Sequence, residues 1–141
     1  MIIEKVLPKS VIIHIDRFSL SPYLQLEAVQ EFKELCLSSG TKVCAEVLGK
    51  IDRPSSNFFV KQGKLDEIKQ LVQSNKAKLV IFNNDLTPSQ QRNLEEYLCA
   101  RVLDRTSLIL DIFATRASSH IGKLQVELAQ LTHLSTRLVR G

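Results

Sequence analysis

The feature that most constrains this chain is a fourfold alternation between short β-branched runs and stretches with helical spacing. Val11 to Ile15 (VIIHI) reads as a buried strand, and Ser21 followed by Pro22 offers a helix cap and first turn. Ala28, Val29, Phe32, Leu35 and Cys36 then recur on one helical face, and Gly40 stands where a helix commonly ends in a left-handed residue. Val43, Ala45 and Val47 alternate as a second strand. The stretch IDRPSSN (51–57) is expected to be an exposed, mobile loop. After Phe58 to Val60, helical spacing returns at Leu65, Ile68, Leu71 and Val72, and KLVIF (78–82) is the third strand.

A second strand-to-helix turn has its cap written out. Thr87 can accept from first-turn amides, Pro88 suits the first helical position, and Gln90 can reach back to the cap. Leu94, Tyr97 and Leu98 form the inner stripe, RVLD (101–104) is the fourth strand, and Thr106 is expected to cap an apolar helix, LILDIFATRA. Parallel neighbours need crossover connections, so this alternation predicts an α/β fold: a mainly parallel four-stranded sheet flanked by helices. Strand order is not legible from periodicity.

A separate amphipathic helix is expected at the C-terminus. Leu124, Leu128, Leu131, Ser135 and Leu138 fall at alternating four- and three-residue steps, the spacing of a coiled-coil seam. Residues 1–117 therefore read as one αβ domain, and 118–141 as the start of a helical subdomain. At 44% hydrophobic and 24% charged residues, the chain can bury a core and is not compositionally disordered.

The formal charge is +4, and residues 101–141 supply most of it, with Arg101, Arg105, Arg116, Lys123, Arg137 and Arg140 set against Asp104, Asp111 and Glu127. An anionic partner would be felt there. The cysteines, Cys36, Cys44 and Cys99, lack ligand spacing and are odd in number, which points to buried thiols in a reducing cytoplasm. No apolar run reaches membrane-spanning length, and no signal-peptide pattern follows Met1.

Catalytic signals are weak. Gly63 and Lys64 at a helix start invite an anion-binding reading, but the places a phosphate loop fills with Gly and Ser or Thr hold Phe58 and Leu65; around Gly122 and Lys123 they hold Ala117 and Leu124. No Walker-type site can be built. His14, His120 and His133 are expected in a strand, a loop and a helix, without metal-ligand spacing, so no metal site is expected. Asp104 and Arg105 end a predicted strand, the edge where open α/β sheets place ligands, and Asp104 suits a helix cap equally well.

The stretches LTPSQQRNLEE (86–96), VLDRTSLILDIFATRASSHIGKLQVELAQLTHLSTRLVRG (102–141) and FFVKQGKLDEI (58–68) resemble the N-terminal region of the HflX family of translational GTPases. Lys61 stands where that family commonly has Gly, Ser107 replaces another common Gly, and Ser118 and Ile121 replace a common Arg and Glu. The resemblance implies a ribosome-binding domain that contacts the large subunit and its RNA, from a protein that splits or rescues stalled ribosomes. It also implies that 118–141 is the first half of a two-helix subdomain, and that GTP and Mg²⁺ belong to a GTPase domain absent from this chain, which itself has no cofactor and no catalytic residues. Lys123, Arg137 and Arg140, with Arg116 behind them, are the expected RNA contacts. Two alternatives stand beside this: an ATP-binding or ATPase module using Gly63 and Lys64, and a module that homodimerises through its C-terminal helix.

Overall fold

The computed structural model describes residues 7–140, apart from the side chains at 119, 123, 126 and 132–140. Eight elements follow one another: β1 (Lys9–Asp16), α1 (Pro22–Ser38), β2 (Lys42–Lys50), α2 (Gln62–Asn75), β3 (Leu79–Phe82), α3 (Pro88–Leu98), β4 (Arg101–Leu103) and α4 (Arg105–Arg140). Every strand pair is parallel, in the order β2-β1-β3-β4.

That order fixes the layers. The step from β1 to β2 runs one way across the sheet, and the steps to β3 and β4 run the other way. Right-handed crossovers therefore place α1 on one face and α2 and α3 on the opposite face. Val11, Ile13, Ile15, Val80, Phe82 and Val102 form one core with Leu65 and Ile68 of α2 and Leu94 and Leu98 of α3. The intervening strand residues Ile12, Ile81 and Leu103 are also buried, as are Phe32 and Cys36 of α1. A sheet buried on both faces explains why β1 and β3 read as continuous apolar runs.

Local signals place the helix ends. The Ser21 side chain accepts from the Leu24 amide, and Gly40 has φ +87. The box at α3 is complete: Thr87 Oγ1 accepts from the Gln90 amide at 3.1 Å, and Gln90 Oε1 accepts from the Thr87 amide at 2.8 Å. Thr87→Ala should lower stability by about 1 kcal/mol by leaving a first-turn amide without its acceptor. A urea midpoint unchanged by the substitution would show that the box contributes nothing.

Three expectations need correction. Residues 51–57 are tethered rather than loose: Ser55 and Phe59 exchange backbone hydrogen bonds, Gln90 Nε2 donates to Ser55 O at 2.8 Å, and Asn93 Nδ2 donates to Asn57 O at 3.0 Å. The two helices expected after β4 are one continuous 36-residue helix, which also carries His120, expected in a loop. No Pro breaks 105–140, and its one glycine, Gly122, costs only about 1 kcal/mol in a helix interior. Asp104, not Thr106, caps α4, through Oδ1 and the Ser107 amide at 2.8 Å; the Thr106 hydroxyl donates to Asp85.

The chain divides into two compact units, Met1–Ile109 and Leu110–Gly141, a boundary inside α4 and ahead of the one expected at 117/118.

Candidate functional site

Four positions expected to meet RNA lie on α4, which at 1.5 Å per residue spans about 54 Å. With about 100° between successive residues, positions 116, 123 and 137 fall within about 60° of one another, and position 140 lies about 60° further round. Arg116 is exposed. Lys123, Arg137 and Arg140 occupy helical positions, but their side chains lie outside the described residues. The apolar row is centred about 140° away from these cations. Leu110, Phe113, Ile121, Leu124, Leu128 and Leu131 of that row are between 45% and 71% exposed. Leu110–Gly141 therefore carries an exposed apolar row on one side and four basic positions on the other, where positions 126 and 134, a valine and a leucine, also fall. Glu127 lies on this side too, one turn from position 123.

Gly63 and Lys64 sit in the first turn of α2, whose N-cap, Lys61, makes no side-chain capping bond. The Lys64 ammonium is already engaged, donating to Leu48 O at 3.0 Å and pairing with Glu67 at 3.0 Å. Gly49 makes room for it: a Cβ at Gly49 would lie 3.1 Å from Lys64 Cε and 3.1 Å from Ile15 Cδ1. Gly63, by contrast, has open space around it and no positive φ. Lys64 thus ties α2 to the edge strand, while Gly63 shows none of the close approach that makes a phosphate loop need glycine.

The C-terminal edge of the sheet carries the densest polar network. Both Asp104 oxygens are used, Oδ1 at the α4 cap and Oδ2 accepting from the Leu86 amide at 3.2 Å, so this carboxylate ties the β3–α3 loop to the first turn of α4. Arg105 Nη1 donates to Asn83 Oδ1 at 2.7 Å, and its Nη2 lies 3.7 Å from Glu31. The arginine fixes the orientation of the Asn83 amide, so Asn83 Nδ2 donates to His14 Nδ1 at 2.8 Å. The neutral His14 ring then carries its proton on Nε2, a buried atom with no hydrogen-bond partner.

Burial holds the His14 pKa below its ordinary value of 6.5; nearby Asp16 pulls it up and Arg105 pushes it down. An unfolded chain takes up this proton near 6.5 while the fold still refuses it, so the contribution is present above that pH and lost as pH falls below it. Unfolding midpoints in urea should drop between pH 7.5 and 5.5, with a flatter profile in His14→Gln. Equal pH slopes in the two proteins would rule out His14 as the source.

Cys36 is buried, with its thiol pushed up to about 12 by desolvation. Cys99, expected inside, is exposed at the left-handed C-cap of α3. Among the described residues, no group of three His, Cys, Asp or Glu could hold a metal ion, and no helix is long and apolar enough to cross a membrane. Periodicity and capping chemistry single out Asp104 and Arg105 at this edge but pass over Asn83, Asn84 and the β1–α1 loop. Asn84 clamps β1 through Ile15 N and O at 3.2 and 2.9 Å. The available signal is the two consecutive amides directly after a buried strand.

Fold and site together define a doubly wound α/β domain whose last helix extends into a two-sided amphipathic unit. Residues 26–114 match the family described as GTP-binding GTPase N-terminal, and the chain belongs to that family, the N-terminal region of HflX-type GTPases. It is 51% identical to GTPase HflX of Escherichia coli (strain K12) over 116 residues, covering 82% of this chain and 27% of that protein. With GTPase HflX of Caldanaerobacter subterraneus subsp. tengcongensis it shares 45% over 113 residues, 80% of this chain and 26% of the relative. The chain thus spans about a quarter of the length of these curated relatives. A solved structure of SsGBP in complex with GDP superposes with TM-score 0.60 at 26% identity, over 88% of this chain and 34% of that one. A GTP-binding protein from Sulfolobus solfataricus, also with GDP, shares the fold with TM-score 0.55 at 21% identity, over 75% of this chain and 30% of that one.

Proposed function

We propose that this chain is the ribosome-binding α/β domain of an HflX-type GTPase that splits or rescues stalled ribosomes in the cytoplasm, and that it meets ribosomal RNA of the large subunit. These residues are a platform rather than a catalyst: GTP and Mg²⁺ are handled by sequence outside these 141 residues. The reading is supported chiefly by the division of α4 into an apolar side and a side with Arg116 and positions 123, 137 and 140. Such an arrangement lets one face pack on protein while the other neutralises phosphate, which positions a protein on RNA without reading bases.

The test is binding to purified large ribosomal subunits across a salt series. Each phosphate that a cation no longer neutralises removes nearly one unit of slope in log K against log salt. The triple variant Lys123→Ala, Arg137→Ala, Arg140→Ala should therefore flatten the plot by about 2 to 3. An unchanged slope would mean that these cations only solvate the helix. An ATP-dependent reading centred on Lys64 is less well supported, because its ammonium is bound to Leu48 O and Glu67.

A further inference from the structure

The loop between β1 and α1 holds an apolar ring in water at some cost. Phe18 is 79% exposed. The loop is nevertheless well fastened: Asp16, only 4% exposed, accepts from the Phe18 amide through Oδ1 at 2.9 Å and from the Leu20 amide through Oδ2 at 3.1 Å. Ser19, between them, is left-handed at φ 51, and Phe59, which with Phe18 lines a cavity beside this loop, is left-handed at φ 66. Two non-glycine residues in this region beside one cavity are the kind of strain that clusters at binding sites.

The cavity is small, about 260 Å³, and opens among Arg17, Phe18, Phe59, the Asn83–Asp85 loop and Arg105. It lies at the carboxyl end of β1 and β3, where the strand order reverses, the place at which doubly wound sheets bind ligands. The Arg17 guanidinium lies 5.9 Å from the Phe18 ring centroid, so cation and ring are presented together. Arg105 adds a second guanidinium to the lining; its Nη1 is held by Asn83 and its Nη2 stands 3.7 Å from Glu31, and a planar guanidinium with five donors keeps N–H groups beyond these two partners. Asp85, already accepting from the Thr106 hydroxyl, places negative charge on the β3 side.

We infer that this cavity takes a single nucleotide unit of an unpaired RNA strand, its base stacked on Phe18, its phosphate between Arg17 and Arg105, and its ribose hydroxyls toward Asp85. The ring and the two cations supply the two attractions by which proteins hold single-stranded nucleic acid. The volume lies below the range usual for drug-sized ligands, which suits one nucleotide and not an extended ligand. The inference rests on the RNA-binding reading only for the source of the nucleotide, and it assigns a contact in Met1–Ile109 that Arg116 and the basic positions 123, 137 and 140 do not provide.

The whole 141-residue chain should be titrated with labelled hexauridylate and, separately, with uridine monophosphate, following affinity by anisotropy and the amides of Arg17 to Leu20 by NMR. Hexauridylate should shift those amides, and Phe18→Ala and Arg17→Gln should each weaken it about tenfold, with Phe18→Tyr close to wild type. Two results overturn the inference: hexauridylate affinity unaffected by Phe18→Ala, or uridine monophosphate binding the loop as tightly as the oligomer, which would make the free nucleotide the ligand. The α4 triple variant separates this from the wider reading. It should weaken binding to ribosomal subunits yet leave the hexauridylate shifts at Arg17 to Leu20 in place. If Phe18→Ala is neutral toward hexauridylate while the α4 variant still loses subunit binding, only the nucleotide site falls.

Discussion

Replacing Phe82 by Ala should destabilise the α/β unit by about 3 to 5 kcal/mol, the usual cost of deleting a fully buried aromatic side chain. Phe82 ends β3, is 0% exposed, and meets Phe59 edge to face at 6.2 Å between ring centroids. Its loss removes apolar area and leaves a hole that the sheet cannot close, because β3 is paired on both sides, to β1 and to β4. The effect should also reach the carboxyl edge of the sheet. Asn83 follows Phe82 directly, and its amide donates to Ile13 O at 2.7 Å, so slackening β3 loosens the Asn83–Arg105 pair. A domain of this size has about 5 to 15 kcal/mol in hand, so the variant should remain largely folded at 25 °C but melt well below wild type. Denaturant unfolding with an unchanged slope and a sharply lower midpoint is the expected record. A loss under about 1 kcal/mol would show that the core closes around the hole.

What is legible in the sequence follows from where each interaction lies. The capping box at Thr87 is readable because its partners sit three residues apart and their chemistry is local. The fold class is readable because burial on both faces leaves its mark on β1 and β3. Strand order is not, since nothing in VIIHI or KLVIF says which neighbour each will pair with; the reversal of strand order lives in long-range contacts such as Ser10 beside Leu79. The same limit hides the edge network. His14 and Asn83 are 69 residues apart in sequence. Lys64 illustrates the converse: a Gly-Lys pair at a helix start suggests an anion, and only the structure reveals that a backbone carbonyl 16 residues earlier already accepts from that ammonium. The continuity of α4 is obscured because the hydrophobic pattern changes at 117/118, which resembles a break, although the sequence there contains neither Pro nor a terminating Gly.

The apolar side of α4 leads to the second large effect. Leu110, Phe113, Ile121, Leu124 and Leu131 are substantially exposed, and Leu124 and Leu131 are seven residues apart, on the same line of the helix. Covering a leucine is worth about 1.5 to 3 kcal/mol relative to leaving it in water, so a 141-residue chain presenting such a row should associate with a second copy through α4 as its concentration rises. Heptad spacing favours pairing along the helix over a glancing contact, because both helices then keep their seams facing over several turns. Leu124→Ser with Leu131→Ser should therefore shift sedimentation toward the monomer by about two orders of magnitude in dissociation constant or more, as each dimer would lose four buried leucines. The thermal unfolding of Met1–Ile109 should barely change, since neither leucine belongs to that unit. The discriminating result is the opposite pair of observations. A wild-type chain that stays monomeric at all accessible concentrations, with an unfolding midpoint that falls steeply on the double substitution, would mean that these leucines are covered within the same molecule. The apolar side of α4 would then be an internal packing face and not a docking surface.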